Sequence, residues 1–269
     1  MTHFYTPDSP YLCPHMIEGV VFDNDNTLYL EPQNAHEYHQ MAAVRAVQEQ
    51  LPEMLDWEVR LLLAESKKKY GGSLDVFEKE HGADMDKLRA DQYAYLIEST
   101  TDNGFFNPDK TPKRGMTQLV ALGIKLAIAT HGNKEWTFHS LQENQLAHMF
   151  NDRGIVTKGD VSAGKNIGPE MYDAVLDALG VPETADPSQR GFGYAMIEDT
   201  MQNLKFAKDR GMTTVLIRPD FNSGDDIADY VDVVVKDNKE AVQAILESNQ
   251  ARFLHLYEIP EMNAEVVLD

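Results

Sequence analysis

Two carboxylates two positions apart, Asp23 and Asp25, stand in the run Asp23-Asn24-Asp25-Asn26-Thr27, directly after the apolar stretch Val20-Val21-Phe22. If that stretch is a buried strand, the carboxylates sit where parallel α/β sheets bind ligands, just beyond the C-terminal strand ends. A carboxylate there can attack phosphorus and form an aspartyl-phosphate. A second one can protonate the leaving oxygen and afterwards activate water. The same residues also suit a solvated turn, because Asp and Asn favour turns. An EF-hand calcium loop is rejected, since the sixth position is Leu28 rather than glycine and begins an apolar segment.

Three later segments carry complementary chemistry. Thr130, in Ile128-Ala129-Thr130-His131-Gly132-Asn133, also follows an apolar run and precedes a helical pattern starting near Lys134. A hydroxyl with backbone N–H groups at a helix start can hold a phosphoryl oxygen, although an ordinary N-cap turn has the same composition. Lys165 precedes Pro169 and a helix over 170–179. A lone lysine is usually a solvated charge, but a phosphate site built of carboxylates needs a fixed cation, and Lys165 is preferred to Lys158. Glu198-Asp199 ends a further apolar run. Acids there repel Asp23 and Asp25 unless a divalent cation sits among them, and magnesium favours few carboxylates, waters and substrate oxygen. Acidic N-capping accounts for one such acid, not readily for four at two strand ends.

These segments need a scaffold. Apolar, β-branched runs at 20–22, 124–129, 194–197, 213–217 and 231–235 read as strands buried on both faces. Helical spacing lies between them: Tyr172, Val175, Leu176 and Leu179 share one face, with Gly180 at the stop, and Met201, Leu204 and Ala207 repeat the pattern before Gly211. Strand–helix alternation predicts an α/β fold, a Rossmann-like parallel sheet flanked by helices with right-handed crossovers. From Asn34 to about Asn103 the signals are helical only. Asn34 with Glu37 suggests a capping box, Val59, Leu62, Leu63, Ser66 and Tyr70 share a face, Tyr70-Gly71-Gly72-Ser73 breaks that helix, and another helix covers 86–99. The expected organisation is a core of 1–30 and 108–250, an inserted all-helical cap domain of 31–107, and a C-terminal tail of 251–269.

In this order, Asp-x-Asp-x-Thr, strand-Thr, Lys and strand-Glu-Asp, the chain resembles the haloacid dehalogenase superfamily of phosphohydrolases over about Val20 to Met212. The run Phe22-Asp23-Asn24-Asp25-Asn26-Thr27-Leu28-Tyr29 looks like that of pyrimidine 5′-nucleotidases, with Tyr70-Gly71 and His81 as fainter echoes. The helical insert falls where one branch of the superfamily carries a mobile cap. The resemblance implies that Asp23 is the nucleophile and a metal ligand. It implies that Asp25 is the general acid/base and ligates metal through its carbonyl, that Thr130 and Lys165 bind the phosphoryl group, and that Asp199 binds Mg2+. It further implies that Glu198 supports or joins that metal and that Asn203 orients the loop. Dehalogenases of the superfamily generally lack an acid at the Asp25 position, because halide leaves without a proton. The implied activity is therefore a magnesium-dependent phosphomonoester hydrolase. A sugar phosphomutase and a catalytically silent binding protein are the alternatives. The family's usual Pro-x-Pro after the lysine is replaced by Lys165-Asn166-Ile167-Gly168-Pro169, one residue longer. His131 is read as structural. Substrate choice is assigned to the cap, where His36, Tyr38, Tyr70 and Tyr93 could meet a base or sugar.

Composition sets outer limits. The 269 residues are 42% hydrophobic, enough for a real core. Forty-four acidic residues against 24 basic ones give a net charge of −20. Such a surface argues against nucleic acid and membrane partners, which need a positive footprint, but not against a small phosphorylated substrate held through a cation. The single Cys13 excludes an internal disulfide and a thiolate metal site. The first sixteen residues lack a signal-peptide pattern, no apolar run spans a bilayer, and a cytoplasmic location is expected. Nothing in the sequence excludes a homodimer.

Overall fold

The computed structural model describes residues 2–256, apart from 7, 12, 71, 102 and 223. Its centre is a seven-stranded sheet, parallel at every pairing. In chain order the strands are β1 (His3–Phe4), β2 (Gly19–Phe22), β3 (Lys125–Thr130), β4 (Ile155–Thr157), β5 (Tyr194–Glu198), β6 (Thr213–Ile217) and β7 (Val233–Val235). Across the sheet they run β1-β7-β6-β5-β2-β3-β4. The five runs read as strands are strands. β1 and β4 escaped notice because they are two and three residues long and lie at the edges, too short to show a period.

The chain divides into two compact units. The first comprises Met1–Leu30, Asp109–Gly132 and the chain from Leu146 onward. In it, helices α5 (Lys113–Ala121) and α9 (Asn238–Leu256) pack together, while α7 (Glu170–Ala178) and α8 (Leu204–Asp209) lie on the strands. One core cluster joins Val21, Ala127 and Ala129 of the sheet to Met171, Tyr172, Val175 and Leu176 of α7. Helix α7 ends as its sequence suggests, with Gly180 at φ 75°, a left-handed turn that glycine adopts without a Cβ penalty. The N-terminal segment is tied down rather than loose. Cys13 is buried, its N–H donates to Ser248 Oγ at 2.7 Å, and Asn249 exchanges two hydrogen bonds with the Ile17 backbone. Helix α9 continues to Leu256, six residues into the stretch read as a tail, and 257–269 lies outside the described residues.

In the second unit, Glu31–Pro108 with Asn133–Gln145, the regular structure among the described residues is helical. It contains α1 (Ala35–Gln50), α2 (Asp56–Tyr70), α3 (Asp75–His81), α4 (Met85–Thr100) and α6 (Lys134–Glu143). Ala43, Val47, Val59, Leu63, Phe77 and Leu88 form its core. The expected capping box at Asn34 is absent. Asn34 has ψ 13° rather than the extended value that aims a cap side chain at the helix, so its backbone carbonyl, not its side chain, accepts the Glu37 N–H. Helix α2 ends at Tyr70 and the adjoining Gly71 lies outside the described residues. Ser66 closes the following turn, donating to Gly72 O and accepting from Val76 N. Tyr38 meets Phe105 edge-on, and Tyr70 donates to Glu80. Among the described residues no helix is long and apolar enough to cross a membrane.

Candidate active site

The strand order places β2 between β3 and β5. The chain moves outward from β2 through β3 to β4, then returns to the other side of β2 as β5. That reversal opens a crevice at the carboxyl ends of β2 and β5, the usual ligand position of open α/β sheets. In register, Phe22 is level with Ile128 on one side and Ile197 on the other. Asp23, Thr130 and Glu198-Asp199 therefore all emerge at one edge of the sheet.

The Asp23 N–H donates to Ile197 O at 2.9 Å, extending the strand pairing by one residue and aligning the side chain. Beyond it the chain turns tightly. Asn26 takes φ 58°, a conformation asparagine tolerates better than most residues, and Leu28 N–H returns to Asn24 O. The turn carries Tyr29 back over the motif, where its hydroxyl donates to Asp25 Oδ1 at 2.5 Å beside Asn24 Nδ2 at 3.1 Å. Asp25 is thus oriented by two donors within its own loop. The motif's residue types gave Tyr29 a place in the run but no partner; its hydroxyl four positions after Asp25 is the feature that brings it to that carboxylate.

Lys165 is 1% exposed, and its Nζ donates to Asp23 Oδ1 at 2.5 Å and to Glu198 Oε2 at 2.6 Å. Lys158, the competing lysine, turns outward to Ser162 O. Burial opposes the charge on Lys165, but Asp23 and Glu198 outweigh it and hold its pKa above that of an ordinary lysine. Glu198 spends its other oxygen on Thr200 N–H and Asn203 Nδ2. Asn203 is itself held by its carbonyl, which accepts from the buried Tyr172 hydroxyl. Burial and then the Asp23 charge push the Glu198 and Asp199 carboxyls upward. Thr130 is buried at the end of β3, with its Oγ1 accepting Gly132 N–H at 3.0 Å. A cleft of about 520 Å³ opens beside Asp199, lined also by Asn26, Thr200, Gln202 and Arg218.

Asp23, Glu198 and Asp199 each offer a carboxylate oxygen, all within 4.8 Å of one another, a set that could hold a metal ion. The donors are hard oxygens, and three acids outnumber the Lys165 ammonium that pairs with Asp23 and Glu198, so a small divalent cation fits the set chemically. Because both Glu198 oxygens already accept protein hydrogen bonds, Asp23 and Asp199 have more oxygen left to offer such an ion.

A scan of protein families matches residues 17–211 to the haloacid dehalogenase-like hydrolases, and the chain belongs to that family. Its fold is shared with CbbY from Rhodobacter sphaeroides, solved in complex with phosphate, at TM-score 0.60 and 19% identity over 84% of this chain and 96% of that one. It is also shared with β-phosphoglucomutase from Clostridium difficile, at TM-score 0.58 and 16% identity over 89% of this chain and 100% of that one. A family IA hydrolase of the same superfamily from Entamoeba histolytica matches at TM-score 0.58 and 17% identity, over 86% and 100%. A search of the curated proteins finds no match.

Proposed function

We propose that this hydrolase is a magnesium-dependent phosphatase of small phosphorylated metabolites, with Asp23 as its nucleophile. The supporting observation is the buried Lys165 ammonium, held between Asp23 and Glu198, with Asp199 close by. This arrangement concentrates a fixed cation and a set of hard oxygens at one strand end, as a phosphoryl group requires.

Magnesium would be held by Asp23, Asp199 and the Asp25 carbonyl, and would supply charge neutralisation to phosphoryl oxygens. The chain's own residues do the rest. Lys165 and Thr130 orient the phosphoryl group. Asp23 attacks phosphorus in line, the ester P–O bond breaks, and Asp25 gives its proton to the departing oxygen. Asp25 then takes a proton from water as the water oxygen attacks the aspartyl-phosphate. The bond from phosphorus to Asp23 breaks and inorganic phosphate leaves. Tyr29 and Asn24 hold the Asp25 carboxyl in place for both proton transfers.

Nucleoside 5′-monophosphates are the first substrate class to try, because of the run from Phe22 to Tyr29. The test is a panel of UMP, CMP, AMP, phosphoglycolate and sugar phosphates with and without magnesium, followed by phosphorus NMR. Inorganic phosphate is the expected product; an isomeric sugar phosphate would make the protein a mutase. Asp23→Asn should lower turnover by at least about 10⁴-fold with unchanged thermal stability. Near-normal hydrolysis by Asp23→Asn would sink the mechanism.

A further inference from the structure

His131 has no role in the chemistry above, yet it touches the lysine loop. Its Nε2 accepts the backbone N–H of Lys165 at 2.9 Å, across 34 positions of sequence. The contact is made by main chain, so it locates the Lys165 backbone rather than its ammonium. The ammonium is located separately, by Asp23 and Glu198. Lys165 is therefore held at both ends, and the His131 end lies outside the acid cluster.

Gly164 makes the approach feasible. A Cβ at that position would lie 2.7 Å from His131 Nε2 and 3.3 Å from its Cδ2. The ring edge thus rests on bare backbone. A nitrogen that accepts an N–H carries no proton, so the imidazole is neutral with its hydrogen on Nδ1. Burial of this edge and then the Lys165 charge push the histidine pKa down to about 4. That agrees with the acceptor role, although much of the residue faces solvent.

The segment around Lys165 has little regular structure to locate it. It is a turn in which Gly164 O accepts the Ile167 and Gly168 N–H groups. A lysine stem is flexible, and a misplacement of about 1 Å can cost on the order of 10² in rate. We propose that His131 is a positioning residue for Lys165: its Nε2 clamps the Gly164–Lys165 backbone against the end of β3 and so sets how far the ammonium reaches into the phosphoryl site. The inference rests on the assignment of Lys165 as a phosphoryl-binding residue.

Amide hydrogen exchange followed by NMR reads the clamp without any turnover. His131→Phe keeps a ring and removes the acceptor; the Lys165 N–H should then exchange at least about tenfold faster. His131→Gln, whose Oε1 reaches toward the place of Nε2, should restore protection. With p-nitrophenyl phosphate and magnesium, His131→Phe should raise KM and lower kcat/KM about tenfold, and His131→Gln should stay within about threefold of the parent. In a Lys165→Met background His131→Phe should add nothing, because both changes act through one group. Gly164→Ala, which displaces the ring from the other side, should mimic His131→Phe and serves if that variant does not fold. Unchanged Lys165 exchange in His131→Phe would overturn the proposal. So would a tenfold loss that persists in the Lys165→Met background, or a His131→Gln that fails like His131→Phe. If the parent protein hydrolyses no phosphate ester, the phosphatase reading falls, and the exchange measurement still decides the clamp.

Discussion

Beside Lys165, three carboxylates gather at the end of the sheet; its ammonium pairs with Asp23 and Glu198, and Glu198 and Asp199 are pushed toward their neutral forms. Beside α7, two arginines meet two aspartates. Arg210 grips Asp173 with two hydrogen bonds of 2.7 and 2.8 Å, and the buried Arg190 reaches Asp173 at 3.6 Å and also pairs with Asp177. Here the Arg210 hydrogen bonds hold the Asp173 carboxyl below the usual carboxylate range. Both are ion clusters in the same unit. In the second, two arginines face two aspartates. In the first, three acids outnumber the one ammonium that pairs with two of them, an excess that a divalent cation would offset. Charge balance, rather than the mere presence of buried ions, is what separates the two clusters.

The largest effect should come from removing the cation of the unbalanced cluster. Lys165→Met leaves Asp23 and Glu198 buried without a counter-charge. It should lower kcat/KM by about 10²- to 10³-fold and stability by about 3–5 kcal/mol. Steady-state kinetics and denaturant titration measure the two, and a variant as active as the parent would place the phosphoryl-binding cation elsewhere.

A smaller effect should follow from adding the proposed cation. Saturating magnesium, at about 100 times its dissociation constant, should stabilise the parent by about 2.7 kcal/mol. Asp199→Asn should lose most of that shift in a thermal melt, whereas Asp173→Asn should keep it. An equal magnesium shift in Asp199→Asn would remove Asp199 from the ligand set.

The smallest effect belongs to the balanced cluster. Asp173→Asn should cost about 2 kcal/mol at pH 7 through lost charged hydrogen bonds and leave kcat unchanged. Because the folded protein depresses the Asp173 pKa, the unfolded chain binds more protons at low pH. The stabilisation is fully present above the unfolded value of about 3.9 and is lost as pH falls through the folded one. Melts of parent and variant should therefore converge in acid. A gap that persists well below pH 3 would show that packing, not charge, sets it.

Much of the scaffold could be read before any coordinates. Val20-Val21-Phe22 and the other four strand runs are apolar and β-branched because they are covered on both faces, and that leaves a mark in composition. Asp84 adds a boundary: its side chain caps α4 through Lys87 N–H, so the helix starts one residue ahead of the expected 86–99. The edge strands β1 and β4 are decided by pairing with β7 and β3, not by any period of their own. Likewise the Asn34 cap failed because backbone torsion, not residue type, aims a side chain.

The sequence by itself determined the chemistry on offer: carboxylates at Asp23 and Asp25, a hydroxyl at Thr130, a lysine at 165 ahead of a helix, and paired acids at Glu198-Asp199, each beside a strand end or a helix start. Those are properties of neighbours in the chain, so short-range pattern reveals them. Only the tertiary structure decided which lysine enters the acid cluster, that Glu198 spends its oxygens on Lys165, Thr200 and Asn203, and that His131 receives the Lys165 backbone. The Lys165–Asp23 contact joins residues 142 positions apart. Its existence depends on strand order and on the turn at Gly164, and those are settled by packing of the whole sheet unit rather than by any segment of it.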